Sequence, residues 1–476
     1  MKPRIAFLSD DEIEHLHRAA VRLLETVGMR LPHPAAQELL TAAGARIGQD
    51  QVVRLPADVV ERALASLPDR ESVTLFGRDA LHDITFGAHR PRLACMTMAV
   101  DVIDPVTRKR RAATSEDLAL LTRIADGLDG IGVNGGLVTP QEVPGAFNDW
   151  YTWAVTIKNT AKHTTGGMLG ERCVRDAARM AAAAVGSMER FQARPFISGW
   201  VLTLPPFGID TESLGALMEM SRLNIPAVIS SGPILGTSSP VTIAGTVAQA
   251  HAEILGCLVV HQLVNPGAPA VYTSFARGVD MRSGHISMAC PEFAVLKVAM
   301  AQMGRRLNLP VRMPAMLRDA KVLDAQAGFE TGMTAGVTGL IADLMDGMQL
   351  DMDMLVDFPD LLFCNECMAG IQRLARELVV NDDTLALDTL QSVGPGGHFL
   401  ETPHTLKHHR RELWLPALLE RGDATVWQEK GAQTIFDKCE ARLRTLLETP
   451  FAPLLPADVE AEIDAVVAET VDGRSR

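Results

Sequence analysis

Cys364-Asn-Glu-Cys367 is a lone Cys-x-x-Cys, a spacing that could hold a metal or do thiol chemistry. His398, His404, His408 and His409 follow, and the spacing of His404 and His408 puts them one helical turn apart. A structural zinc site needs four ligands, and no second Cys-x-x-Cys exists to complete one. A metal-dependent enzyme built on Cys364, Cys367 and these histidines is therefore one reading. The simpler one places both thiols in a buried helix beginning near Asp360, with the histidines decorating the next helix. Two glycine-rich stretches also invite a reading. Gly130-Ile-Gly132-Val-Asn-Gly135 matches the dinucleotide pattern, but that motif needs a strand before it and a helix after it. Here a helix precedes, and the glycines fall inside a strand candidate. Gly394-Pro-Gly396-Gly397 lacks the lysine of a phosphate-binding loop and reads as a helix-ending turn.

More chemistry is carried by residues that cluster only if the chain folds in a particular way. Residues 9–70 read as three amphipathic helices, and residues 71–113 as strands with a hairpin turning at Asp104-Pro105-Val106-Thr107. The basic run Arg108–Arg111 fits a hairpin arm better than a phosphate patch. From 114 onward apolar runs alternate with helices. The strand candidates are 131–138, 163–168, 195–201, 225–231, 269–275, 310–316, 336–344 and 354–358. Eight such runs with intervening helices predict a (β/α)8 TIM barrel, an α/β fold, with N-terminal and C-terminal helical additions. The implied division is 1–113 for the N-terminal helices and hairpin, 114–360 for the barrel and 361–476 for a C-terminal helical extension. Glu253, inside an apolar helix, is expected to hold that helix to the barrel.

Barrel chemistry gathers at the carboxyl ends of the strands. Those ends and the loops beyond them carry Trp200, Tyr272, Phe275, Asp280, Arg282, Asp324, Gln326 and Asp346, and Tyr151 lies in an early connection. Aromatic faces and carboxylates around one mouth suit an organic cation. Each carboxylate also has a structural reading: an internal pair for Asp280 and Arg282, and helix capping for Asp324 and Gln326.

Composition narrows the field further. The 476 residues carry 45 basic and 58 acidic side chains, a net charge of −13, which disfavours a general nucleic-acid binder. No run of 18 apolar residues predicts a membrane span. Seven scattered cysteines suit reduced thiols in a cytoplasmic protein.

Several segments, in order, resemble the trimethylamine methyltransferase family. They are GTSSPVTIAGTVAQAHAEILGCLVVHQLVNPGAPAVYT (236–273), VDMRSG (279–284), DAKVLDAQAGFE (319–330), GPGGHFLETPHTL (394–406) and RELWLP (411–416). The hairpin segment DVIDPVTRKRRAATSEDL and the N-terminal helices share the likeness, which runs from about residue 9 to about 445. The resemblance implies a (β/α)8 barrel that passes a methyl group from a methylated amine to the cobalt of a separate corrinoid protein. No tightly bound cofactor is implied, since the methyl acceptor is the partner's cobalamin, and no metal is expected in this chain. The founding branch of the family contains pyrrolysine; the larger branch, which includes glycine betaine methyltransferases, does not. This sequence has no pyrrolysine, and DGMQLDMDML stands roughly where it would fall. That stretch, with VDFPDLLFCNEC after it, departs from the family pattern.

A quaternary ammonium leaves as a neutral amine, so attack by cobalt(I) needs no proton delivery, and positioning with electrostatics can suffice. On this reading Trp200, Tyr272, Phe275 and Tyr151 offer ring faces to the cation. Asp280, Asp324 or Asp346 balances its charge, and Arg282 or Gln326 binds a substrate carboxylate. No residue is assigned a bond-making role. The expected partners are a corrinoid protein and a small quaternary amine, with a homo-oligomer compatible and no nucleic acid or membrane. A non-catalytic betaine-binding protein is the remaining alternative.

Overall fold

Eight short parallel strands close into a cylinder in the computed structural model, which describes residues 5–96, 99–448 and 450–474. The strands are β1 (Arg92–Ala94), β2 (Ile131–Val133), β3 (Thr164–Gly167), β4 (Ile197–Leu202), β5 (Ala227–Ser231), β6 (Ala270–Ser274), β7 (Arg312–Met316) and β8 (Leu344–Gly347). Ladders join β3 through β6, and also β7, β8, β1 and β2. Parallel bridges from Val133 to His163 and from Tyr272 to Val311 close the two remaining seams. The helices that follow each strand form the outer ring: α1 (Ser115–Asp126), α2 (Asn148–Asn159), α3 (Gly170–Val185), α4 (Thr211–Arg222), α5 (Ile243–Val264), α6 (Pro291–Arg306), α7 (Ala325–Thr338) and α8 (Phe358–Leu374). The chain is thus a (β/α)8 barrel with helical additions at both ends.

Three strand assignments are corrected. The first barrel strand is Arg92–Ala94, so the barrel starts near residue 92 rather than 114. Residues 336–343 belong to the end of α7 and the turn after it, and the eighth strand is Leu344–Gly347. Leu355–Asp357 lies outside the barrel and pairs with Asp101–Ile103 of the hairpin. Strands of three or four residues are too short for a hydrophobic period to mark. Thr97 and Met98, inside the run read as one hairpin strand, lie outside the described residues.

The Gly130–Gly135 motif is explained by packing within the barrel. A Cβ on Gly132 would lie 2.6 Å from the Arg92 side chain, and one on Gly135 would lie 2.1 Å from the Thr165 carbonyl. The basic run is committed to ion pairs: Arg108 to Asp357, Arg110 to Asp101 and Asp351, and Arg111 to Asp104 and Asp117.

The two ends of the barrel are treated differently. At the amino end, a small hairpin inserts Val73, Leu75, Ile84 and Phe86 against Ala94, Val133, Val228, Val271 and Leu344. The N-terminal helix Asp10–Thr26, started by a Ser9–Glu12 capping box, packs with two further helices on α5. Helix α5 is long and apolar enough to cross a membrane, yet it is buried between these helices and the strands. Glu253, midway along it, accepts from Thr203, Ser231, Gln249 and the Phe207 amide, tying α5 to the ends of β4 and β5.

Candidate active site

Side chains alternate along each strand, so the residues packed on the plug set the inward face. In β5 and β6 these are Val228 and Val271, and Ser230 and Thr273 lie one step nearer the mouth. A polar layer forms there. Arg312 of β7 donates from Nε to Asp346 Oδ1 at 2.6 Å, from Nη1 to Thr165 at 3.3 Å and from Nη2 to the Cys95 carbonyl at 3.0 Å. Its guanidinium sits 4.5 Å from the Trp200 ring centroid. Below it, His163 contacts Ser198 and the Phe76 carbonyl, and burial pushes its imidazole down to about 4. That keeps His163 neutral and structural.

Above this layer the mouth combines aromatic and charged groups. Trp200 and Phe275 meet edge to face with centroids 5.8 Å apart, flanked by Met96, Met288, Phe293 and Leu317. Lys297 of α6 donates to the Ser274 and Ala276 carbonyls, both at 2.6 Å, and lies over the Phe293 ring. Burial holds its ammonium well below the usual lysine value. Arg277, just past β6, is lowered by burial and feels Asp353. Burial raises Asp346 despite Arg312, and raises Asp353 well above the usual carboxylate value, with Asp346 adding to the effect.

Buried polar atoms are normally hydrogen-bonded. Among the described residues nine buried side-chain atoms have no partner, and six of them belong to this end of the barrel: Ser230 Oγ, Thr273 Oγ1, Arg277 Nε, Asp346 Oδ2, Gln349 Oε1 and Asp353 Oδ1. The loop after β8 that carries two of them is strained. Met348, Asp351, Met352 and Asp353 all have positive φ, at 85°, 52°, 55° and 76°. Such residues cost about 1–3 kcal/mol each and persist where surrounding contacts fix them. Here Met348, Asp351 and Met352 donate backbone N–H groups to the Met316, Ala320 and Arg318 carbonyls, and Gln349 Nε2 donates to the Met96 carbonyl at 2.7 Å. Arg318, fully buried, pairs with Asp360 beneath the loop.

The sequence-based site list divides accordingly. Trp200, Phe275 and Asp346 come together. Tyr272 points away from the barrel axis: its hydroxyl meets His251 Nδ1 at 2.9 Å, and His251 continues to His17 and Glu61. Tyr151, on α2, packs on the main core apart from the Trp200–Phe275 group. Asp280 and Arg282 form a loop-internal pair, with Arg282 91% exposed. They sit on the hairpin bordering a cleft of about 790 Å³, lined also by Asp319, Lys321 and Met352. Asp324 caps α7 through the Ala327 amide, and Gln326 donates to Glu330, whose other oxygen accepts the Asp319 and Ala320 amides. Neither therefore faces the mouth cluster. The thiols take structural roles too. Cys364 lies 3.8 Å from Asp360, and burial pushes Cys367 up to about 12. His404 and His408 turn to Asp383.

Sequence reasoning did not single out Arg277, Lys297, Arg312, Gln349 and Asp353, which the structure adds to the candidate site. The available signal was a charge set in an otherwise apolar run, as in PVRMPAM for Arg312 and FAVLKVAM for Lys297.

Known proteins align along nearly the whole chain. The family model of trimethylamine methyltransferase (MTTB) matches residues 1–473. Trimethylamine methyltransferase MttB of Desulfitobacterium hafniense (strain DSM 10664 / DCB-2) is 30% identical over 98% of this chain and 94% of that protein. Glycine betaine methyltransferase of D. hafniense (strain Y51) is 28% identical over 98% and 97%. The monomethylamine methyltransferase of Methanosarcina barkeri has a solved structure that aligns with 92% of this chain and 93% of its own, at 12% identity and a TM-score of 0.47.

Proposed function

The chain belongs to the trimethylamine methyltransferase family, and on that premise we propose that it moves a methyl group from a zwitterionic quaternary amine, a betaine, to the Co(I) of a corrinoid protein. One observation carries the choice of substrate. At the mouth an orphaned carboxylate oxygen, Asp346 Oδ2, and an orphaned guanidinium nitrogen, Arg277 Nε, accompany the Trp200–Phe275 pair. An anion acceptor and a cation-balancing group beside aromatic rings match a molecule that carries both charges.

Asp346 faces the ammonium with the oxygen that Arg312 leaves free. Trp200 already has Arg312 against one ring face, so Phe275 and the remaining surface of Trp200 receive the methyl groups. Arg277 takes the carboxylate. Burial and Asp346 raise the Asp353 carboxyl well above its usual value, which favours the protonated form that can donate a hydrogen bond to that carboxylate, a use of a protonated acid that other enzymes make. The strained loop fixes Gln349 and Asp353 before substrate arrives, which is how preorganised electrostatics lower a barrier. When docked, the partner's corrinoid supplies the nucleophile. The leaving amine departs neutral, so none of these residues has to deliver a proton. Leu169, Leu202, Leu204, Val241, Met281 and Phe329 are exposed around this face, an apolar rim suited to a protein partner.

The test is methylcobalamin formation, followed by absorbance, with a corrinoid protein and a panel of betaines, carnitine, choline and trimethylamine. Betaines turn over, choline reacts poorly and trimethylamine does not react. Arg277→Met raises KM for the betaine by roughly 10–100-fold, the scale of a lost charge-assisted pair, and leaves choline unchanged. Equal loss on choline would remove Arg277 from carboxylate recognition, and no turnover of any quaternary amine would overturn the reaction itself.

A further inference from the structure

Trp200, Phe275 and Asp346 come to the mouth from β4, β6 and β8. On the β3 side the wall ends in two consecutive glycines, Gly166 and Gly167. A Cβ on Gly166 would lie 3.0 Å from the Trp153 ring of α2, so that residue faces the outer ring of helices. Gly167 therefore faces the barrel interior, as Thr165 does where it meets Arg312. The three atoms nearest a Cβ on Gly167 all belong to the Asp149 carboxyl group, with Oδ1 at 3.1 Å. Asp149, in the first turn of α2, thus fills the place that a side chain at the end of β3 would take. The start of the helix is fastened there. Trp153 Nε1 donates to the Gly167 carbonyl at 2.7 Å, and Asp149 Oδ2 accepts the Leu169 amide at 3.1 Å. Oδ1 has no hydrogen-bond partner among the described residues.

Gly167 pairs with Trp200 across the β3–β4 ladder, so the Asp149 carboxyl group and the indole are neighbours on the inner wall. Gly167 lies two residues beyond Thr165, about 7 Å nearer the opening at the usual rise of a strand. Asp149 is half-buried, and burial raises its carboxyl above the usual value, with only the Leu169 amide opposing the shift. The balance of charge at the mouth calls for such a group. Arg312 and Asp346 cancel each other, and Arg277 is left for the substrate carboxylate. Asp353 is raised toward its protonated form. An ammonium held at the Trp200–Phe275 pair then lacks a full counter-charge, and a carboxylate at the rim supplies it. We propose that Asp149 binds the substrate ammonium at the rim of the barrel and selects for a permanent cation, with Gly167 leaving the room for it to do so. Asp346 faces the ammonium from deeper in the barrel and Asp149 from the β3 wall, and the zwitterion lies across the mouth toward Arg277. This assignment rests on the betaine reading and adds to it a specificity residue from the opposite wall.

Calorimetric binding to the full-length protein, without corrinoid, tests it. The probes are glycine betaine, carnitine and choline, each with its tert-butyl analogue, which keeps the shape but has carbon in place of the charged nitrogen. The wild type binds a cation more tightly than its analogue. Asp149→Asn keeps an acceptor for the Leu169 amide and loses the charge. It weakens binding of the cations by roughly 10–100-fold, the scale of a lost charge-assisted contact, and leaves the analogues unchanged. The loss is the same for choline as for a betaine, whereas Arg277→Met spares choline. A residue that only supports the fold would weaken cation and analogue together, and near-ultraviolet circular dichroism confirms that the variant is folded. Equal losses on cation and analogue, no loss on either, or a wild type that does not distinguish them overturn the role of Asp149 and leave the betaine reading standing. A wild type that binds none of the cations overturns the betaine reading and this assignment with it.

Discussion

Asp343 and Asp346 stand three residues apart, one just before β8 and one within it, and their environments pull them in opposite directions. Asp343, at the amino end, accepts from both Arg70 and Arg305 and from the Val311 amide. Burial alone would raise its carboxyl, but Arg305 and Arg70 outweigh burial and hold it below the usual value. Asp346, at the carboxyl end, has one arginine and one oxygen without a partner, and burial raises it. The same contrast holds for the whole barrel. The amino end is plugged by apolar side chains and clamped by a saturated carboxylate. The carboxyl end is polar, strained and incompletely paired. Stability and the proposed chemistry are thus separated along the barrel axis, and substitutions at the two ends are expected to have different signatures.

The largest effect belongs to the amino end. Asp343→Ala leaves Arg70 and Arg305 facing each other, half-buried, without the carboxylate between them. Removing one side of a buried charge cluster costs about 3–5 kcal/mol. Urea unfolding shows that loss, while methyl transfer per folded molecule stays at the wild-type level. A loss under 1 kcal/mol would mean that the clamp contributes little and that the plug alone secures this end.

The sequence exposed the apolar strands and the alternation of strand and helix, because parallel strands buried on both faces read as apolar runs. It hid β1 and β8. Arg92-Leu-Ala94 has three residues, and β8 contains Asp346, which breaks the run. That Trp200, Phe275 and Asp346 come together at one end of the barrel was legible because they stand at or near strand ends. Arg277, Gln349 and Asp353 sit where only tertiary contacts fix the direction of a side chain. Tyr272 misled because strand-end position was taken for inward orientation. Val271 and Thr273 share the inward face, and parity places Tyr272 on the other. Asp280, Arg282 and Asp324 turned out as the local pair and cap that short-range chemistry also predicted.

Tyr272→Phe has an intermediate effect and probes the helical side of the barrel wall. His251 is fully buried, and Tyr272 is its partner at Nδ1. An unpaired buried polar atom costs about 1–3 kcal/mol. Thermal unfolding reports that loss, and KM for the betaine does not change. A rise in KM of tenfold or more would return Tyr272 to the substrate cage and undo the separation between wall and mouth.

The smallest effect on stability, and the one with an unusual sign, comes from Asp353→Asn. In the folded chain this carboxyl is raised well above its ordinary value, by burial and then by Asp346. As pH rises through the ordinary carboxylate value of 3.8, the unfolded chain releases this proton while the native chain retains it. Native stability therefore falls with rising pH until the folded carboxyl also ionises, and each unit of elevation corresponds to about 1.4 kcal/mol. Asparagine does not titrate and tolerates a positive φ better than most residues. The variant is accordingly more stable than the wild type at pH 7–8, and the advantage shrinks toward pH 4. Asp343 has the opposite slope, giving stability that is lost as pH falls below the usual carboxylate value. Methyl transfer drops in Asp353→Asn because the protonated acid at the mouth is gone. Unfolding free energies from pH 4 to 8, paired with betaine turnover, check both halves. If the variant gains no stability at pH 8, or gains it while keeping full activity, Asp353 is an ordinary buried residue and the mouth is less strained for function than the amino end implies.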